Sequence, residues 1–197
     1  VVYLKEVVEM PHYWKKHQNL FLTSELEEAL SKQKKNRYYH IIEDTFKSYF
    51  GTGLGQPAFN FSVYNSDGEL VRLSDYRGKL VVLDVWATWC GPCISSRPDY
   101  QKIAEKYSGN EKISFLAISK DVKRYVWEKF LQKKGSSTNV TELYLPFDMN
   151  EQFDQHYFTV SIPRYILIDA NGRIINANID GPSIAMEKII EDALSKI

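Results

Sequence analysis

At 197 residues, 44% hydrophobic and 14% aromatic, the chain is long enough for one domain with an appendage and too apolar for disorder. Lys+Arg and Asp+Glu balance at 25 each, which removes the electrostatic case for a nucleic-acid binder. Two cysteines are too few for a disulfide scaffold, and no run approaches the roughly 18 apolar residues of a membrane span.

Residues 1–53 read as a helical extension. Ser24 followed by Glu27 fits a capping box, and Tyr38, Ile41, Ile42, Thr45, Phe46 and Tyr49 repeat at three and four on one helical face. Gly51, Gly53, Gly55 and Pro57 mark a linker, so the main domain is expected over 54–197. A helical appendage packed on that domain is the plain expectation for 1–53, with a dimerisation or partner-binding arm as the alternative. The start on Val1 rather than Met reads as a trimmed end; a signal peptide, a lipid anchor or an upstream domain are the alternatives for what preceded it.

From Ala58 the period changes to two. "FNFSVYNSDGELVRL" alternates on both sides of Asp67-Gly68, the pattern of a β-hairpin. "KLVVLDVWA", residues 79–87, is a nearly continuous apolar run, as expected of a strand buried on both faces. Helical spacing follows Cys93 through Tyr100, Ile103, Ala104 and Tyr107. "ISFLAIS", residues 113–119, is a second buried strand, and Val122, Val126, Phe130 and Leu131 mark a helix that stops before Gly135. "LYLPFD" reads as a short strand and Asn150 as the cap of a helix through Tyr157. "RYILIDANGRIINANI" reads as two strands around Asn171-Gly172, and Ser183 caps a last helix carrying Ile184, Ile189, Ile190, Ala193, Leu194 and Ile197. The order hairpin, β, α, β, α, β, α, β, β, α predicts an α/β domain with a mixed central sheet and helices on both faces.

Both cysteines fall in "DVWATWCGPC", where a buried strand gives way to a helix beginning at or about Cys90. The first N–H groups of a helix lack partners and carry partial positive charge, which stabilises a sulfur there as the reactive thiolate. Pro92 suits the first turn, and the spacing of three puts Cys93 on the same face, within reach of a disulfide. So small a ring restricts little chain entropy, so redox exchange explains the pair better than stability does. Cys90, at an exposed helix tip, is the expected attacking sulfur, its pKa lowered below the roughly 8.5 of a free cysteine; Cys93, more buried, is the resolving one. A zinc site would need His12, His17, His40 or His156 as further ligands, and none has ligand spacing to the pair, so no metal is expected. Asp84 lies six residues before Cys90 in a strand without a basic residue. Buried, it should hold its proton to unusually high pH and accept the Cys93 proton during resolution; a wet-edge position is the competing reading.

"VVLDVWATWCGPC" resembles the active-site segment of the thioredoxin superfamily, with Asp84, Trp86, Ala87, Trp89, Gly91 and Pro92 at matching positions. "LSDYRGKLVVLDVWATWCGPC" with its preceding hairpin is closer to the extracytoplasmic thiol-disulfide oxidoreductases of the TlpA/ResA type, a likeness covering about residues 55–197. The resemblance implies a thioredoxin-like fold and a protein-disulfide reductase with no cofactor beyond its own Cys90–Cys93 disulfide. It implies protein thiols and disulfides as partners and an upstream electron-donor thiol protein. It also implies a periplasmic or cell-envelope location with a membrane tether outside this segment, the cytoplasm being the alternative. Pro163 in "VSIPRYILID" matches the family's cis-proline, which implies that Ile162 lends its backbone to an extended partner segment. Trp89, Gly91 and Pro92 would line the same partner surface; core or rim packing is the alternative for both Trp86 and Trp89, and Trp89, next to Cys90, is the one of the two expected to touch a substrate. Two positions depart from the pattern. Arg164 stands where many relatives have threonine, and "ISFLAIS" lacks the lysine that thioredoxin keeps near its buried acid. Peroxide-reducing relatives usually carry threonine at the position of Ala87, which disfavours a peroxidase. A disulfide isomerase or oxidase, and a non-catalytic partner-binding module of the same fold, remain the alternatives.

Overall fold

A computed structural model of the chain describes residues 55–197 apart from Phe158 and Val160. The expected helical extension over 1–53, with its capping box and aromatic face, lies outside the described residues.

Seven strands form one mixed sheet, in the spatial order Leu70–Arg72 (β2), Ser62–Asn65 (β1), Thr141–Tyr144 (β5), Ile113–Ser119 (β4), Leu80–Trp86 (β3), Arg164–Ile168 (β6) and Ile174–Ile179 (β7). Its centre is β3 (Leu80–Trp86), parallel to β4 (Ile113–Ser119), which is parallel in turn to β5 (Thr141–Tyr144). β6 (Arg164–Ile168) runs antiparallel on the other side of β3, followed by β7 (Ile174–Ile179). The hairpin of β1 (Ser62–Asn65) and β2 (Leu70–Arg72) completes the far edge against β5. Its turn works because Asn65 Oδ1 accepts from the N–H groups of Asp67 and Glu69, while Gly68 takes φ +85°, open to glycine at no steric cost.

All seven residues of β3 are buried. Leu80, Val82 and Trp86 face one core, and Val81, Leu83 and Val85 the other, as strand alternation requires when both faces are covered. The first core is closed by α1 (Gly91–Lys106), α2 (Arg124–Lys134) and α4 (Ile184–Leu194), through Tyr100, Ile103, Trp127, Met186 and Ile190. The second is closed by α3 (Asn150–Tyr157), through Phe153 and Tyr157, together with Phe61 and Leu73. Each such side chain contributes about 1.5–3 kcal/mol by leaving water.

The α/β reading with helices on both faces is borne out, with local shifts. "LYLPFD" pairs two residues earlier than expected, because Pro146 has no N–H for a ladder and instead opens a short 3-10 turn, Phe147–Met149. α2 starts at Arg124, leaving Val122 58% exposed in the loop before it. Asn150 is the first residue of α3 rather than its cap, since the preceding turn already runs into the helix. Ser183 caps α4 as expected, its Oγ accepting from the Met186 N–H.

Candidate active site

β3 ends at Trp86, and the turn Ala87–Trp89 hands the chain to α1. That turn is clamped from the neighbouring strand. Asp121, 2% exposed just beyond β4, accepts from the Thr88 N–H at 3.0 Å and the Thr88 hydroxyl at 2.6 Å. The Ser119 hydroxyl donates to the same carboxylate at 2.7 Å. Three donors on one buried acid fix where the next residue, the helix cap, is placed.

Cys90 is that cap. Its backbone is extended (φ −86°, ψ 99°) and its Sγ accepts from the Cys93 N–H at 3.2 Å, where Ser or Asp would usually serve. The sulfur therefore sits against the unpaired donors and positive end of α1. Pro92 occupies the first turn, where its missing N–H costs nothing. Cys90 and Cys93 are joined in a disulfide, S–S 2.01 Å, with Cα atoms 5.2 Å apart.

The expected exposure of Cys90 needs correction. It is 5% exposed and Cys93 1%. The disulfide turns the sulfur inward, against Cys93 on one side and the Ile162 carbonyl oxygen, 3.7 Å away, on the other. The rim around it is open: Trp89 is 68% exposed, and Gly91 and Pro92 are exposed. Trp86, by contrast, is wholly buried beneath the guanidinium of Arg97, 3.8 Å from its ring centroid.

Ile162 and Pro163 come from the loop before β6, and the peptide between them is cis. This loop is tied to the sheet by Lys120, whose ammonium donates to Asp154 on α3 and to the Thr159 carbonyl. Arg164 then begins β6, paired with Val85 across the antiparallel ladder.

Asp84 is 1% exposed, which overturns the wet-edge alternative. Neither of its oxygens has a hydrogen-bond partner, so it is not bonded to either cysteine. Burial pushes its pKa up to about 8, with Arg97 pulling down and Glu142 pushing up. A basic residue is thus present after all, carried by α1 rather than the strand: Arg97 forms a buried ion pair with Glu142 of β5. Tyr100 fills the same compartment, donating to the Val82 and Leu116 carbonyls, and its pKa is raised by burial.

The structure therefore gathers Cys90, Cys93 and Ile162 at one point, with Trp89, Gly91 and Pro92 beside them in the chain, and buries Asp84 two residues before the end of β3. Sequence reasoning missed Arg97, Glu142, Asp121, Thr88 and Lys120. Arg97 carried a signal, standing four residues after Cys93 and so on the same helical face.

The AhpC/TSA family model matches residues 54–177. The thiol-disulfide oxidoreductase ResA of Geobacillus thermodenitrificans (strain NG80-2) is 29% identical over 136 residues, 69% of this chain and 75% of that protein. The thioredoxin-like protein YneN of Bacillus subtilis (strain 168) is 27% identical over 137 residues, 69% of this chain and 77% of that one. Among solved structures, a thiol-disulfide oxidoreductase from Bacteroides vulgatus superposes with TM-score 0.65 at 32% identity, covering 71% of this chain and 96% of that chain. Capped disulfide, cis-proline loop and sheet order coincide with a match over most of the described residues: the chain belongs to the AhpC/TSA family and has its thioredoxin-like fold.

Proposed function

We propose that the protein is a thiol–disulfide oxidoreductase that reduces protein disulfides in the cell envelope, with Cys90 as attacking and Cys93 as resolving sulfur. The observation that carries this reading is the disulfide at the N-terminal cap of α1, its outer sulfur bonded by the Cys93 N–H and facing the Ile162 carbonyl.

In the reduced enzyme the Cys90 thiolate, stabilised by the helix end, attacks one sulfur of a partner disulfide. One S–S bond forms between enzyme and partner as the partner's own breaks, and the released partner thiolate takes a proton from solvent. Cys93 then gives its proton to ionised Asp84 and attacks Cys90 Sγ; the enzyme disulfide closes as the mixed disulfide breaks, and the second partner thiolate leaves and takes a proton from solvent. Two electrons pass to the partner, and the cysteine pair itself is the redox group, so no added cofactor enters. A separate thiol protein, the electron donor, restores the dithiol.

Ile162 would hold the partner's backbone in strand-like pairing beside Cys90, and Trp89, Gly91 and Pro92 would make the side of that groove. The envelope location rests on the likeness to extracytoplasmic oxidoreductases and the similarity to ResA. No helix among the described residues is long and apolar enough to cross a membrane, so a tether would lie elsewhere in the protein.

Insulin reduction by the wild-type protein and by Cys90→Ser tests the reading. Turnover that vanishes with the thiol supports it, and equal turnover in both sinks it. Redox titration against glutathione gives the direction: a potential on the oxidising side of the glutathione couple would make the protein an oxidase instead.

A further inference from the structure

The strand registers set four residues abreast across the sheet. Tyr165 of β6 pairs with Asp84 of β3, Asp84 with Ala117 of β4, and Ala117 with Glu142 of β5. Residues paired in this way point to the same face, here the one covered by α1. The third member of the row is the smallest: Ala117 leaves a gap between two acids that stand two strands apart. Arg97 fills it. It descends from α1 one turn beyond Cys93, is 5% exposed, stacks on Trp86 and bonds Glu142 Oε1 through Nη2. Glu142 Oε2 and both oxygens of Asp84 accept nothing.

One obligate cation and two carboxyl groups thus share a buried compartment on the α1 face of the sheet. A guanidinium does not deprotonate in proteins, and in a low dielectric its charge is satisfied by one carboxylate, not two. Because Glu142 takes the guanidinium by direct contact, Asp84 is left as the surplus acid. We propose that Arg97 and Glu142 are positioning residues that set the charge of Asp84: Glu142 keeps Arg97 from fixing Asp84 as a permanent carboxylate, and Arg97 keeps the ionised form of Asp84 within reach. The site then holds a neutral acid that becomes a proton acceptor near the working pH, as resolution by Cys93 requires. This inference deepens the proposed role of Asp84 toward Cys93 and rests on it.

Among the described residues of the surrounding elements, no other group competes. From α1, Tyr100 is hydrogen-bonded to two main-chain carbonyls; from β6, Tyr165 meets the Ser96 hydroxyl at 2.8 Å. Burial raises the pKa of both phenols, so they stay neutral through the working range. β4 contributes no titratable side chain. Burial also raises Glu142, with the Arg97 charge and hydrogen bond opposing that rise.

The test reads Asp84 directly, by carbon NMR of carboxyl-labelled aspartate in the oxidised full chain, its resonance assigned by loss in Asp84→Asn. Glu142→Gln should free the guanidinium for Asp84 and move its titration midpoint down by about one pH unit or more; Arg97→Met should move it up by a similar amount. The double variant, neutral again, should fall between the two. A role confined to packing predicts no such opposition. Movement of both single variants in the same direction, or midpoints within a few tenths of wild type, overturns the proposal. Should Arg97→Met fail to fold, Glu142→Gln is judged beside Arg97→Lys, which keeps the charge: a fall in the first with a near-wild-type second supports the coupling, and any other pattern overturns it. Resolution of a preformed mixed disulfide by Asp84→Asn separates the two claims. An unchanged rate would defeat Asp84 as proton acceptor, whereas the coupling is read on the carboxyl carbon whatever that rate is.

Discussion

The carbonyl oxygen of Ile162 stands 3.7 Å from the Sγ of Cys90, across 72 residues of sequence. In the disulfide this is a contact, because the sulfur carries no proton. It brings the carbonyl we propose to pair with a partner strand and the sulfur we propose to be the attacking atom to one place, so an extended chain laid along Ile162 would reach Cys90 without further search.

Cys93→Ser removes the resolving sulfur and leaves the cap residue Cys90 intact. Incubated with a disulfide-containing protein substrate, this variant should accumulate a covalent enzyme–substrate adduct that dithiothreitol releases, while Cys90→Ser forms none. Non-reducing gels read the result; adducts through Cys93 alone would reverse the assignment of roles.

Asp84 makes stability depend on pH in an unusual direction. Its pKa is raised from 3.8 to about 8 in the folded chain, so between those values the folded state holds a proton that the unfolded state has released. Stability therefore falls as pH rises through this window and levels above it. Asp84→Asn should flatten the slope, gaining a few kcal/mol relative to wild type between about pH 5 and about pH 8.5. Glu142, also raised by burial, leaves a smaller slope of the same sign at the acid end. Urea unfolding at the two pH values checks this, and a wild-type protein more stable at the higher pH contradicts it.

Asp121→Ala leaves the Thr88 N–H and hydroxyl and the Ser119 hydroxyl without their shared acceptor. Buried donors left unmade cost about 1–3 kcal/mol each, with water recovering part. A loss of about 2–4 kcal/mol in denaturant melts is expected, together with a lower kcat, because the turn that places Cys90 is loosened. Asp121→Asn, which keeps some of these bonds, should fall between.

Trp89 is a surface residue at the rim, so Trp89→Ala should shift stability by less than about 0.5 kcal/mol. Its effect belongs to partner capture: KM for a protein disulfide rises several-fold, while the rate with a small disulfide such as oxidised glutathione barely changes. Equal losses with both substrates would place Trp89 in the chemistry rather than in recognition.

What was legible in the sequence was local. Leu80–Trp86 reads as a doubly buried strand because its apolar run is continuous, and the capping position of Cys90 follows from the residues around it. What escaped depends on pairing between distant segments. The resemblance brings Ile162 to the partner surface, but nothing in the sequence shows that its carbonyl lies against the Cys90 sulfur, so the recess went unread. Nothing in "ISFLAIS" shows that Ala117 stands between Asp84 and Glu142, so the missing lysine looked like a missing cation. The cation is supplied by Arg97, and that substitution is visible only once strand register is known.

The cross-strand row of Tyr165, Asp84, Ala117 and Glu142 also orders events at the ribosome. The two cysteines are three residues apart and can join as soon as both are made. Their surroundings wait much longer, for Glu142 to appear and then for Tyr165, so the acid pocket on the α1 face of the sheet is complete only once β6 has been made.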